Sequence, residues 1–234
     1  MSASDTLPFT TAPSIDPYKL GHDGRRRRPD DGGAGRNDST GHGEGGPASK
    51  RVIVAYGFWI FLLSDIVMFS ALFAAYAVLS GATAGGPTGA QLFDLRNAGA
   101  ETALLLASSF ACGLASIAVG VRNKLWFYVA MAVTCLLGLS FLALELKEFA
   151  SLVARGAGPS RSAFLSAFFT LVGCHGLHVS IGILWLLTMM AQVFAKGFRA
   201  DIERRILCFA LFWHALDIIW VALFTVVYLM GAAR

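Results

Sequence analysis

Five long apolar segments dominate the chain after about residue 52, and they restrict the folds open to it. They cover approximately residues 52–79, 102–119, 125–144, 163–194 and 206–230. Each reaches roughly the 18 to 20 residues that a helix needs to cross a hydrocarbon core about 30 Å thick. None contains proline, and their apolar residues run continuously instead of alternating with polar ones. Since only helices and closed barrels satisfy the backbone in lipid, the sequence predicts an all-α membrane protein, a bundle of five transmembrane helices.

The composition agrees with a membrane protein and excludes several other classes. Hydrophobic residues make up 56% of the chain and charged residues 15%, against about a quarter charged in an ordinary soluble domain. The net charge of +4 does not indicate nucleic-acid binding, because the basic residues lie in short loops and one tail. The four cysteines all fall inside apolar segments without a C-x-x-C pair, which excludes a disulfide scaffold and a zinc ribbon.

The first fifty residues differ sharply from the rest. Residues 1–50 are rich in Gly, Pro, Asp, Arg and Ser and lack an apolar period, so they are predicted to form a disordered tail before a transmembrane domain over 51–234. With a cytoplasmic N-terminus, fourteen of the nineteen Lys and Arg residues lie on the cytoplasmic side. The positive-inside rule therefore predicts a cytoplasmic N-terminus and a periplasmic C-terminus, although the loops without the tail favour it only by six to five.

Polar residues within the apolar segments are the candidate functional residues, because a charge at the bilayer centre costs about 2.5 to 3.5 kcal/mol on insertion scales. In chain order they are Asp65, Glu145, Glu148, His175, His178, His214 and Asp217. Residues three apart share a helix face, so the two histidines of the fourth segment should face the same way, as should His214 and Asp217. Glu145 and Glu148 end the third segment and are expected near the outer boundary, within reach of water.

Three interpretations of these residues remain open. The first is that His175 and His178 ligate a metal or haem together with carboxylates from other helices. The second is a proton path through Asp65, His178 and Asp217. The third, which we favour, is that the polar groups form interhelical hydrogen bonds and headgroup contacts that set the packing, at roughly 0.6 kcal/mol for each bond.

Small and aromatic residues also predict close helix packing. Gly173, Gly176 and Gly182 would let a neighbouring helix approach the fourth segment. Trp213 and Trp220 are seven residues apart and share one face of the fifth segment. Core packing explains both tryptophans without a cofactor.

Four stretches of the sequence resemble subunit III of the haem-copper oxidases. They are 57–69, with Trp59 and the pair Ser64–Asp65, then 101–109, 168–179 and 212–220. The resemblance covers nearly everything after residue 52. It is closest to the cytochrome bo-type ubiquinol oxidases, because the chain has five predicted spans where cytochrome c oxidases usually have seven. Asp65 stands where those oxidases usually carry glutamate, and the loops 84–89 and 156–162 also match.

The resemblance implies a place in a complex of the aerobic respiratory chain in the bacterial inner membrane. Such a complex oxidises quinol, reduces oxygen to water and pumps protons. Its haems and copper lie in subunit I, whereas subunit III packs against subunit I beside subunits II and IV. Subunit III also holds phospholipid in a cleft and helps preserve activity over many turnovers, and the acid at the Asp65 position is associated with that cleft or with proton entry. We therefore expect no catalytic residue, metal ligand or redox cofactor in this chain.

A rival hypothesis is an independent transporter of a small solute or ion that uses the buried His and Asp residues as a path. The sequence has no detectable internal repeat, and proline breaks none of its predicted helices. Internal repeats and helices broken by proline are both common features of transporters. The odd number of predicted spans also disfavours this hypothesis.

Overall fold

The computed structural model of the chain describes residues 50–86, 89–92 and 94–232. In this part of the chain the structure is helical, and the elements in order are α1 (Lys50–Leu79), α2 (Gly89–Leu92), α3 (Leu95–Gly120), α4 (Lys124–Ala154), α5 (Ala163–Lys196), α6 (Ala200–Leu223), a π-helical stretch (Phe224–Leu229) and α7 (Met230–Ala232). Five of these helices, with α6 continuing through the π-helical stretch, are long and apolar enough to span a membrane. The predicted all-α fold with five membrane-spanning helices is thus confirmed, whereas the predicted tail lies outside the described residues except for Lys50.

Polar side chains cap the N-terminal ends of three helices, and one of these caps begins its helix well before the predicted apolar segment. The Asp94 side chain accepts a hydrogen bond from the Arg96 backbone N–H at 3.0 Å, which begins α3 seven residues before its apolar segment. Asn123 caps α4 and Ser162 caps α5 in the same way. Such caps satisfy backbone N–H groups that have no partner in the first helical turn. As a result of the cap at Asp94, Glu101 lies inside a membrane-spanning helix and not in a loop. Glu148 also lies inside a membrane-spanning helix, because α4 continues to Ala154.

The packing of the helices makes α6 central and α1 peripheral. Helix α3 packs against α4 and α6, α5 packs against α4 and α6, and α1 packs against α5 and α6. Most of the large apolar side chains along α1 remain exposed, among them Trp59, Ile60 and Val67. In a membrane this exposed face of α1 meets lipid or another protein chain.

Short loops connect the long helices, so that successive helices run in opposite directions. The end of α1 meets the start of α5, where the Phe164 N–H donates to the Ala82 carbonyl at 3.3 Å, and α2 packs against α7. We call this end of the bundle, with residues 80–86, helix α2, loop 155–162 and residues 230–232, the distal end. The opposite end, with loops 121–123 and 197–199, is the proximal end.

Candidate functional site

Three glutamates lie together inside the bundle near its distal end. Glu101 on α3 is 1% exposed and Glu145 on α4 is 3% exposed, while Glu148 is partly buried. The Tyr228 hydroxyl, from the π-helical stretch, donates to Glu148 Oε2 at 3.3 Å. Glu101 is within electrostatic reach of both other carboxylates. We call these three glutamates the acidic cluster. The expectation that water reaches Glu145 is wrong, because that side chain lies on the face of α4 that packs into the bundle.

Glycine at position 176 makes room for one member of the acidic cluster. A Cβ atom on Gly176 would lie 2.5 Å from Glu145 Oε1 and 2.6 Å from Oε2, far inside van der Waals contact. A Cβ atom on Gly173 would meet only the Phe149 ring, at an ordinary 3.6 Å. The predicted close approach to α5 therefore occurs at Gly176, but what approaches there is a carboxylate from α4.

Most oxygens of the two deeply buried glutamates lack a donor. Among the described residues, neither carboxylate oxygen of Glu101 has a hydrogen-bond partner, and Oε2 of Glu145 has none. The ion pairs in the same part of the chain join Arg122 with Glu203 and Arg199 with Asp201, so none neutralises the acidic cluster. A buried polar group without a partner is costly and calls for a physical explanation.

A polar cleft of about 250 Å³ leads from the distal end of the bundle to the acidic cluster. It lies between the beginning of α3 and the end of α4, and both Glu101 and Glu148 line it. Its other polar lining residues are Asp94, Asn97, Lys147, Ser151 and Arg155. Glu101 is six residues into α3, about 9 Å along the helix axis from its first residue. Water and small polar solutes at the distal end therefore have a route to the acidic cluster.

The two histidines of α5 have different surroundings, although they are close in sequence. His175 is fully buried, and its ring centroid lies 5.8 Å from that of Phe141 and 5.2 Å from that of Trp220. Neither ring nitrogen of His175 has a hydrogen-bond partner among the described residues. His178 instead donates from Nδ1 to the Cys174 carbonyl at 2.7 Å. Within the described residues, no three or more His, Cys, Asp or Glu side chains are grouped so that they could hold a metal ion.

The other polar candidates, which are Asp65, His214 and Asp217, lie at two separate contacts between helices. Asp65 on α1 is partly buried and lies within electrostatic reach of Cys174 on α5. His214 and Asp217 on α6 face α3 instead, where Ser109 Oγ lies 2.6 Å from His214 Nδ1. Oδ1 of Asp217 has no partner among the described residues. The three members of the hypothetical proton path therefore lie at two contacts, with Asp217 on the α3 side and Asp65 on the α5 side.

An apolar groove of about 370 Å³ runs between α1 and α6. Its lining is almost entirely apolar and includes Trp59, Phe69, Phe73 and Ile218, with His214 as a polar member. A second, more open cavity of about 440 Å³ lies between α3 and α6 and is also lined by His214, together with Asp217. His214 thus lines both the apolar groove on one side of α6 and the more polar cavity on the other side.

The two tryptophans of α6 pack in the core against α3. The Trp213 indole N–H donates to Ser108 Oγ at 3.1 Å, and the Trp220 indole N–H donates to Thr102 Oγ1 at 3.0 Å. The Trp213 ring also lies where Gly138 of α4 and Gly182 of α5 leave space, since a Cβ atom at either glycine would come within 3.0 Å of it. Both indoles therefore fix the position of α6 relative to its neighbours.

Comparison with known proteins decides the family. The family profile described as cytochrome c oxidase subunit III matches residues 36–232. Cytochrome bo(3) ubiquinol oxidase subunit 3 of Pseudomonas aeruginosa is 52% identical over 177 residues, which are 76% of this chain and 85% of that protein. The chain belongs to the cytochrome c oxidase subunit III family. This confirms the resemblance seen in the four sequence stretches.

Two further relatives show the breadth of this subunit III family. The protein of the same name in Pseudomonas putida is 47% identical over 75% of this chain and 84% of its own length. Quinol oxidase subunit 3 of Bacillus subtilis is 43% identical over 75% of this chain and 86% of its own length. The match to the family profile, over residues 36–232, includes all five membrane-spanning helices of this chain.

Glu101 is the site residue of this subunit III chain that sequence reasoning missed. The sequence prediction includes Glu101 only in the stretch 101–109 that resembles the family, because the predicted apolar segment begins after it. A usable signal was present: Glu101, Leu105, Ser108 and Cys112 recur at helical spacing, and all four are buried. An acid that continues a buried stripe at helical spacing belongs to the interior and not to the loop.

Proposed function

We propose that this chain is the accessory subunit III of a proton-pumping terminal oxidase that uses quinol as electron donor. The observation that carries the proposal is the 52% identity over 177 residues to a cytochrome bo(3) ubiquinol oxidase subunit 3. In this proposal the haems and copper lie in partner subunit I, and catalysis belongs to the complex. The chain itself contributes packing, lipid binding and protection of the complex during turnover.

The proposed partners are subunits I, II and IV of the same oxidase in the bacterial inner membrane. The exposed apolar face of α1 suits a contact within the membrane, because little of that helix packs against the rest of the chain. The proximal end would face the cytoplasm, since fourteen of nineteen Lys and Arg residues then lie on that side. The distal end, with the polar cleft, would face the periplasm.

We assign phospholipid binding to the apolar groove between α1 and α6. Its lining by Trp59, Phe69, Phe73 and Ile218 suits an acyl chain, which offers only CH₂ and CH₃ groups for contact. A lipid held there would fill space between a peripheral helix and the central one. It would thus stabilise the position of α1, which is the least packed of the membrane-spanning helices and carries Asp65.

Asp65→Asn is expected to leave assembly of the oxidase intact but to shorten its active life during turnover. Asparagine keeps the size of the side chain and removes its charge, so the packing of α1 on α5 is preserved while any lipid or proton role of the acid is lost. The measurement is the decay of oxygen consumption during continuous quinol oxidation by the purified complex. The control is Asp201→Asn at the proximal end. Identical decay in Asp65→Asn and parent would remove this role from Asp65.

A further inference from the structure

We infer that the acidic cluster is a proton-binding site, loaded from the aqueous phase at the distal end through the polar cleft. The site consists of the carboxyl groups of Glu101, Glu145 and Glu148 with the hydroxyl of Tyr228. This inference goes beyond the proposed role of an accessory subunit, because it assigns ligand binding to this chain itself. The ligand is the proton, exchanged with water.

The hydrogen bonds that the acidic cluster makes and lacks support the proton as its ligand. An ionised carboxylate only accepts hydrogen bonds, whereas a protonated one also donates. Tyr228 supplies one donor, to Glu148, whereas no described residue donates to Glu101 or to Oε2 of Glu145. A bound proton provides the missing donor hydrogen and removes a negative charge from a region where neighbouring like charges repel.

The residues around the acidic cluster disfavour ligands other than the proton. From α4, Lys147 and Arg155 reach the cleft, but neither forms an ion pair with the cluster within the described part of the chain. From α3, the charged group at the cleft besides Glu101 is Asp94. On α5, Gly176 faces Glu145, and the adjacent His175 lies among aromatic rings. Among the residues that the structure describes, no three carboxylates are grouped closely enough to hold a metal ion.

The polar cleft gives the site its exchange route. Glu101 and Glu148 line the cleft directly, whereas Glu145 lies one turn further along α4 toward the middle of the bundle, with its carboxylate against Gly176. A proton taken from water by Glu101 or Glu148 can pass to Glu145 and return by the same route. The step is a proton transfer between oxygens, so no other bond changes and no electron acceptor is needed.

Infrared difference spectroscopy on the full chain tests this inference. The tagged chain, with whatever co-purifies, is placed in lipid nanodiscs at about pH 6.5, where an exposed glutamate is ionised. Spectra of Glu101→Gln and Glu145→Gln are subtracted from the parent spectrum. Protonated carboxylic acids and ionised carboxylates have separate bands, so each subtraction reports the state of the glutamate that was removed. We expect loss of a carboxylic-acid band in at least one of the two variants.

Glu203→Gln at the proximal end is the matched control. Glu203 pairs with Arg122 at 3.6 Å. The spectrum of Glu203→Gln should therefore differ from the parent spectrum only by the loss of carboxylate bands. If both cluster variants also lose only carboxylate bands, the inference is overturned. Two variants are used because a single one could fail to fold. The readout does not depend on haem, so failure of the oxidase assignment and failure of the proton site can be told apart.

Discussion

Trp220→Ala should destabilise the five-helix domain by about 3 kcal/mol. The cost of removing a buried tryptophan is typically about 3 to 5 kcal/mol, and we expect the lower end, because the unfolded reference state of a membrane protein still lies in lipid. The Trp220 side chain is fully buried, its ring lies 4.7 Å from that of Phe141, and its N–H donates to Thr102 Oγ1. Its removal leaves a cavity and takes away the hydrogen bond that Thr102 Oγ1 accepts, although the same hydroxyl still donates to the Ala98 carbonyl at 2.8 Å.

Trp126→Ala is the matched control for this substitution. Trp126 is 65% exposed near the start of α4, so its loss removes the same side chain without opening a cavity. The measurement is the free energy of unfolding in mild detergent, from titration with a denaturing detergent followed by helix content. Equal losses of stability in the two variants would contradict the assignment of Trp220 to the core.

Gly176→Ala should destabilise the domain by about 1 to 3 kcal/mol, the usual cost of overpacking a core. The new Cβ atom would overlap the carboxylate of Glu145, which lies between α4 and α5 and can move only by disturbing that contact. Gly173→Ala, one turn earlier on the same helix, is the control. It meets no such contact and should be neutral or stabilising by up to about 1 kcal/mol, because alanine favours a helix over glycine.

A double-mutant cycle identifies the cause of the Gly176→Ala effect. In a Glu145→Ala background the space taken by the carboxylate is free, so adding Gly176→Ala should cost little or nothing. The free energies of unfolding of all four proteins of the cycle, measured in the same way, give the coupling energy between positions 176 and 145. A Gly176→Ala cost that is unchanged in the Glu145→Ala background would show that the carboxylate is not what the glycine accommodates.

The number of helices and the family could be predicted from the sequence because each depends on a local pattern. A continuous apolar run without proline has only one stable form in a lipid core, a helix, so the five spans followed directly. The face shared by Trp213 and Trp220 followed from helical spacing alone. Their partners on α3, Ser108 and Thr102, did not, because they depend on which helices pack together.

The acidic cluster could not be predicted, because each of its members depends on a detail outside the apolar pattern. Glu101 became part of a membrane-spanning helix through the cap at Asp94. Tyr228 reaches Glu148 from the π-helical stretch, which changes the spacing that a regular helix would have. Gly176 was predicted to admit a helix, whereas its neighbour is the side chain of Glu145. The cap at Asp94 is a local contact, whereas the contacts of Tyr228 with Glu148 and of Gly176 with Glu145 are tertiary.

Co-purification with a spectrum is the most direct test of the central claim, that this chain is an accessory subunit of a terminal quinol oxidase. The chain is tagged, isolated in mild detergent, and examined by reduced-minus-oxidised absorption and by gel electrophoresis. Our account predicts haem bands together with larger partner chains in fixed proportion. A pure, folded protein without haem bands or partners would contradict it, and would favour the rival hypothesis of an independent transporter.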